Sequence, residues 1–156
     1  MKGVGKRIVS HWKLLALVAV CGVLLAVVIA LAANHDAAAP TGNRVSLAGF
    51  KIETVNTNAS RNKGLGGHAP LGSNEAMLFD FSDGANGQCF WMKDMTFSID
   101  IVWLDENSQV TKIASNVSPE TYPKNFCAEQ NPKHVVELAA GRASELGMQV
   151  GSRVEL

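Results

Sequence analysis

The sequence predicts a mainly β ectodomain, a small distorted barrel or two packed antiparallel sheets with two short helices, preceded by one N-terminal transmembrane helix. Three observations carry this expectation. From Arg44 onward, about seven or eight short runs rich in Val, Ile and aromatic residues alternate with Gly-, Asn- and Pro-bearing turns. Only two stretches, near residues 59–65 and 141–146, read as helical. Leu14–Ala33 carries no charge, and roughly twenty apolar residues match the thickness of bilayer hydrocarbon. About 110 residues follow the linker, enough for one core. So many strands in so short a domain must close on themselves or pack as two sheets.

Lys2, Lys6, Arg7 and Lys13 precede the apolar span, and no acid occurs before Asp36. This bias makes 1–13 a cytoplasmic tail, 14–33 the anchor, 34–43 a linker and 44–156 an extracytoplasmic domain. A cleaved signal peptide with a secreted product is the alternative, because Ala30-Leu31-Ala32 and Ala37-Ala38-Ala39 resemble cleavage sites. The span is longer than an ordinary signal h-region, which favours the anchor. The whole chain balances 14 basic against 14 acidic residues, but from Asn34 the count is 10 against 14. A mildly acidic domain without a basic run argues against nucleic acid as a partner. Cys21 lies within the span and reads as a small hydrophobe. Cys89 and Cys127 are the only two cysteines beyond it. In an oxidising compartment such a pair reads as a disulfide; the alternative is two thiols too far apart to join.

Arg44–Leu47 and Phe50–Val55 alternate apolar and polar residues, and Ala48-Gly49 between them reads as a tight turn, which makes a hairpin. Asn56 or Asn58 caps a short helix over Ala59–Leu65, ended by Gly66-Gly67. Arg61 and Leu65 are four apart on it, so Leu65 anchors the helix and Arg61 points to the same side, at its margin. Ala76–Phe81 reads as a strand, and Ser82–Gly87 as a turn. Gln88–Met92 is extended, and Asp94–Phe97 connects it to a strand over Ile99–Leu104. Glu106-Asn107-Ser108 turns the chain back through Val110–Val117. Ser118–Pro132, with three prolines and Cys127, is too irregular for an element of its own. His134–Leu138 is a strand, Gly141–Leu146 a helical turn closed by Gly147, and Arg153–Leu156 a last strand.

The stretch from Gln88 to Asp105 is the most apolar beyond the N-terminal span, yet it carries Lys93, Asp94 and Asp100. Period two puts Ile99, Ile101 and Trp103 on one face, with Asp100, Val102 and Leu104 on the other. A carboxylate between Val102 and Leu104 is expensive to bury without a donor or a cation. Asp100 is therefore a structural staple or part of a site.

Several segments follow a known order. They are Ser60-Arg61-Asn62-Lys63-Gly64-Leu65, Met77-Leu78-Phe79, Phe90-Trp91-Met92-Lys93-Asp94-Met95, Ile99-Asp100-Ile101, Val136-Glu137-Leu138-Ala139-Ala140-Gly141 and Gly147-Met148-Gln149-Val150-Gly151. The series resembles the domain-of-unknown-function family 192, small bacterial and archaeal proteins of which many are exported or membrane-tethered. It covers about residues 45–156. The resemblance implies a compact, mainly β fold and no established activity. Ala76 stands for a usual glycine, His68 for a usual arginine and Ser152 for an aspartate. The first two are expected to border the region around Arg61.

Arg61, Lys93, Asp94, Asp100 and Glu137 are charges inside the matched segments, and with Trp91 they form the candidate ligand cleft. A structural reading gives Asp100 to Lys93 or to the amides of Asp94–Phe97, and Glu137 to Arg61. A functional reading makes Trp91 the floor of a cleft where two carboxylates and two cations recognise a small polar ligand such as a glycan. The domain is then a non-catalytic binding or accessory module. The alternative is a small hydrolase of cell-envelope carbohydrate using Asp100 and Glu137, which depends on their separation. No cofactor or metal is expected, because no Cys-x-x-Cys, His-x-His or His-Glu-x-x-His spacing occurs. No Gly-x-Ser-x-Gly elbow or Gly-x-x-x-x-Gly-Lys loop occurs either. Met77, Met92 and Met95 read as gap-fillers of the core rather than as a copper site.

Overall fold

The computed structural model describes residues 42–87 and 89–156. The basic tail, the expected anchor, most of the linker and Gln88 fall outside the described residues. Among the described residues no helix is long and apolar enough to cross a membrane.

The elements are β1 (Arg44–Ser46), β2 (Lys51–Val55), α1 (Asn58–Lys63), β3 (Glu75–Asp80), β4 (Cys89–Phe90), β5 (Ile99–Leu104) and β6 (Val110–Val117). A 3-10 turn (Pro119–Thr121) leads to β7 (Phe126–Cys127), β8 (His134–Ala139), α2 (Arg142–Glu145) and β9 (Arg153–Glu155). Five strands form one sheet in the order β2-β3-β8-β5-β6, and β1-β9 and β4-β7 form two-stranded ribbons.

Among the described residues no closed barrel forms. The reason lies in β5, which is buried along its whole length. With apolar side chains on both faces, the sheet needs cover on both sides rather than closure around one interior. Ile99, Ile101 and Trp103 join Met77, Phe79 and Val135 in a first core, which Leu65, Phe81 and Met92 cover. Val102 and Leu104 join Ala76, Val136 and Leu138 in a second core. Val45, Leu47 and Val154 from the β1-β9 ribbon, with Ala143 of α2, close that side.

The expected hairpin of β1 and β2 is not formed, although its turn is. Phe50 N–H donates to the Leu47 carbonyl at 3.0 Å, and Gly49 takes φ 86°. Beyond the turn, β1 pairs parallel with β9, and β2 pairs parallel with β3. Val45 and Leu47 are drawn onto the second core, and residues 56–74 are long enough for a parallel crossover. Helix α1 also ends earlier than expected, at Gly64 with φ 48°, and its cap is Thr57 rather than Asn56 or Asn58. Thr57 and Ser60 each accept from the other's backbone N–H at 3.1 Å, which satisfies two orphan donors at once. Leu65, just past the helix, still anchors it at 3% exposure.

The long loop after β6 does carry an element. Strand β7 pairs antiparallel with β4, setting Cys89 opposite Cys127 and Phe90 opposite Phe126. The two cysteines form a disulfide, as the sequence implied.

Candidate functional site

Asp100 is fully buried. Its Oδ1 accepts from the N–H groups of Asn116 at 2.8 Å and Gly141 at 3.1 Å, and its Oδ2 from Ala143 N–H at 2.9 Å. One carboxylate thus ties β5 to the bend in β6 and to the start of α2. Neither Lys93 nor the Asp94–Phe97 amides serve it, because strand parity points Asp100 into the second core. The structural reading of Asp100 holds, with different donors.

Glu137 faces the other way. It stands opposite Ile101 and Met77 in the sheet, on the side of the first core. The two carboxylates therefore lie on opposite faces of the sheet and share no cleft. That overturns the Asp100–Glu137 acid–base pair on which a hydrolase would depend.

Arg61 is not the counter-ion of Glu137. Its guanidinium donates to both carboxylate oxygens of Asp83, at 2.7 and 3.3 Å, and to the Asp80 carbonyl at 2.6 Å. It also reaches the Asn56 carbonyl and Asn58 Oδ1, and lies 5.0 Å over the Phe81 ring. A planar fork matches a bidentate carboxylate in the turn after β3 better than a lone buried acid. Glu137 is left at 4% exposure, and among the described residues its Oε2 has no hydrogen-bond partner. Burial pushes its carboxyl up to about 8, so at neutral pH it is an uncharged acid able to donate one hydrogen bond.

Above Glu137 and Phe79 opens a cavity of about 340 Å³, walled by Leu65, Phe81, Phe90 and Met95. Phe90 meets Phe79 edge to face at 4.9 Å and Trp103 at 5.8 Å, which fixes that wall. Trp91 does not floor the cavity but stands at its mouth, 51% exposed. Lys93 lines it too, so four of the six candidates converge: Arg61, Trp91, Lys93 and Glu137. Asp94 and Asp100 are not among its lining residues. Asp94 forms the turn instead, at φ 57°, and its carbonyl accepts from Gly67 N–H at 3.0 Å.

Sequence reasoning missed Lys63 and Asp83. Lys63 sits in the same matched segment as Arg61 and lines the cavity, but a helix extended to Leu65 drew attention to the Arg61–Leu65 face. The departures from the family pattern are harmless to this site. His68 and Ala76 line a different hollow, beside Lys51 and Leu71. Ser152 is fully buried; its Oγ accepts from Gln149 N–H at 3.0 Å and bonds the Asn43 side chain. A wider groove of about 580 Å³ runs beside Val110–Ile113, but among the described residues no buried unsatisfied side-chain group lines it.

Fold and cavity together describe a small mixed-sheet domain with one unpaired acid beneath a ligand-sized opening. The chain belongs to DUF192, the family described as Uncharacterized ACR, whose model matches residues 40–156. No curated protein matches it. Two solved structures are similar. A protein of unknown function from Novosphingobium aromaticivorans DSM 12444 is 29% identical with a TM-score of 0.61, covering 65% of this chain and 71% of its own. A protein from Sinorhizobium meliloti 1021, described as a candidate transcription regulator, is 25% identical with a TM-score of 0.58, covering 64% and 76%.

Proposed function

We propose that residues 40–156 form a non-catalytic binding module, held outside the cytoplasmic membrane by the 14–33 span, whose cavity takes a small polar ligand such as a glycan fragment. The observation that carries this reading is the unpaired, buried Oε2 of Glu137 at a cavity lined also by Arg61, Trp91 and Lys93. A buried polar atom without a partner is uncommon in folded proteins and calls for an explanation. A bound ligand hydroxyl would supply one. The volume lies in the range of small-molecule sites, and the exposed Trp91 ring offers a stacking face for a sugar. The disulfide supports an oxidising compartment. The description of the Sinorhizobium protein is not carried over, because the count of 10 basic to 14 acidic residues from Asn34 suits nucleic acid poorly.

The test is a calorimetric screen of residues 40–156, whose two cores lie wholly within that segment, against mono- and oligosaccharides, short peptides and metal ions. Saccharide binding that Trp91→Ala weakens is the expected result. Binding of none of these probes would contradict the proposal.

A further inference from the structure

Resting on that reading, we infer that the ligand is an acidic sugar: a pyranose whose ring lies on Trp91, whose carboxylate is held by Lys63 and Lys93, and whose hydroxyl meets Glu137. The charges around the cavity point there. Arg61 lines it, but Asp83 already neutralises that guanidinium through two hydrogen bonds. Glu137, with its proton retained by burial, adds no negative charge at neutral pH. Lys63 and Lys93 are the cations left, and among the described residues neither ammonium group has a hydrogen-bond or ion-pair partner.

The two lysines come from segments that meet. A methyl group built on Gly66 would stand 3.0 Å from the Lys63 carbonyl oxygen and 3.4 Å from that of Lys93. Gly67 N–H donates across the same seam to the Asp94 carbonyl at 3.0 Å. The end of α1 and the Lys93-Asp94 turn are thus stitched together, with one unpaired ammonium from each side. The mouth is cationic and aromatic, while the Glu137 side of the cavity is neutral and can donate a hydrogen bond. A neutral sugar would leave both ammonium groups unused. An apolar carboxylate would leave Glu137 unpaired, and a buried unpaired group weakens binding.

The experiment is calorimetric titration of the full chain with glucuronate, glucose and benzoate at pH 7, for the parent and for Lys63→Gln/Lys93→Gln. Both lysines are exposed and unpartnered, so the double variant should fold normally. Charge-assisted hydrogen bonds predict glucuronate binding about ten- to hundredfold tighter than glucose. The double variant should lose that preference, so that glucuronate binds it no more tightly than glucose does. Glucose binding as tightly as glucuronate, or benzoate matching glucuronate, would overturn the acidic sugar and leave the binding module standing. If none of the three binds and the saccharide screen is also empty, both readings fall. If that screen instead finds only neutral saccharides, the acidic-sugar inference alone falls.

Discussion

At the scale of single residues, the two buried acids illustrate opposite solutions to one problem. Asp100 accepts from three backbone donors, and among the described residues Glu137 Oε2 has none. The consequence for Glu137 is a pH dependence with a definite sign. Its carboxyl is raised from 4.5 to about 8, so between those values the folded chain holds a proton that the unfolded chain has released. Stability therefore falls as pH rises from about 4.5 and levels off above about 8, by up to about 1.4 kcal/mol for each pH unit. His134, pushed below its ordinary 6.5 by burial despite Asp80 nearby, acts the other way: the unfolded chain takes its proton first, so its contribution rises with pH up to about 6.5. Between about pH 6.5 and 8 the Glu137 effect stands clear. The melting temperature of the parent should drop by several degrees across that interval, and Glu137→Gln should flatten the profile. Parallel profiles for the two would show that Glu137 does not titrate there.

Asp100→Asn tests the other solution. The amide keeps the shape, but its NH₂ would face N–H donors that now meet an acceptor, and the charge is lost. Stranding buried donors in this way costs about 2–4 kcal/mol, seen as a fall of several degrees in melting temperature. A variant that melts like the parent would show that the three donors contribute nothing to stability.

At the scale of elements, the cavity depends on two small devices. The β4-β7 ribbon holds Phe90 against Phe79, and the disulfide closes a separation of 38 residues. By the chain-entropy estimate the cross-link contributes about 4 kcal/mol. Cys89→Ser/Cys127→Ser should unfold at correspondingly lower denaturant, and in residues 40–156 the unreduced, denatured parent should take up no maleimide. Labelling of both cysteines would refute the bond. The second device is the Thr57–Ser60 capping box, which starts α1 and so positions Lys63. Thr57→Ala should cost about 1 kcal/mol; no change in denaturant midpoint would mean that the cap is idle.

Element by element, strand parity was the most legible feature. The alternation in Ile99–Leu104 put Ile99, Ile101 and Trp103 on one sheet face and Val102 and Leu104 on the other, where they are found. Pairing was not legible. Nothing local tells Arg44–Leu47 that its partner is β9 at the far end of the chain, because a short turn fits a hairpin and a divergence equally well. The same blindness gave Asp100 the wrong donors and Glu137 the wrong cation. Charges in nearby segments look like natural partners until the face of the sheet is known. Asp83, in an exposed turn outside the matched segments, carried no signal that it would claim Arg61.

For the whole molecule, the sequence carried the family and the mainly β class, while the number of layers emerged only from folding. A sheet apolar on both sides recruits cover for each, and irregular segments do this as well as strands. The proposed uncleaved anchor has its own check. Mass spectrometry of the purified full chain should find the N-terminus intact; a start at Ala33 or Pro40 would establish cleavage instead.

The most direct test of the account is to map where a sugar acid binds. In a ¹⁵N-labelled sample of residues 40–156 titrated with glucuronate, amide shifts should move at Lys63–Gly66, Trp91–Met95 and Glu137, and stay still at Asp100 and its donors Asn116 and Ala143. Shifts confined to the Val110–Ile113 groove, or spread over the surface without saturation, would contradict the claim that the Glu137 cavity is the functional site.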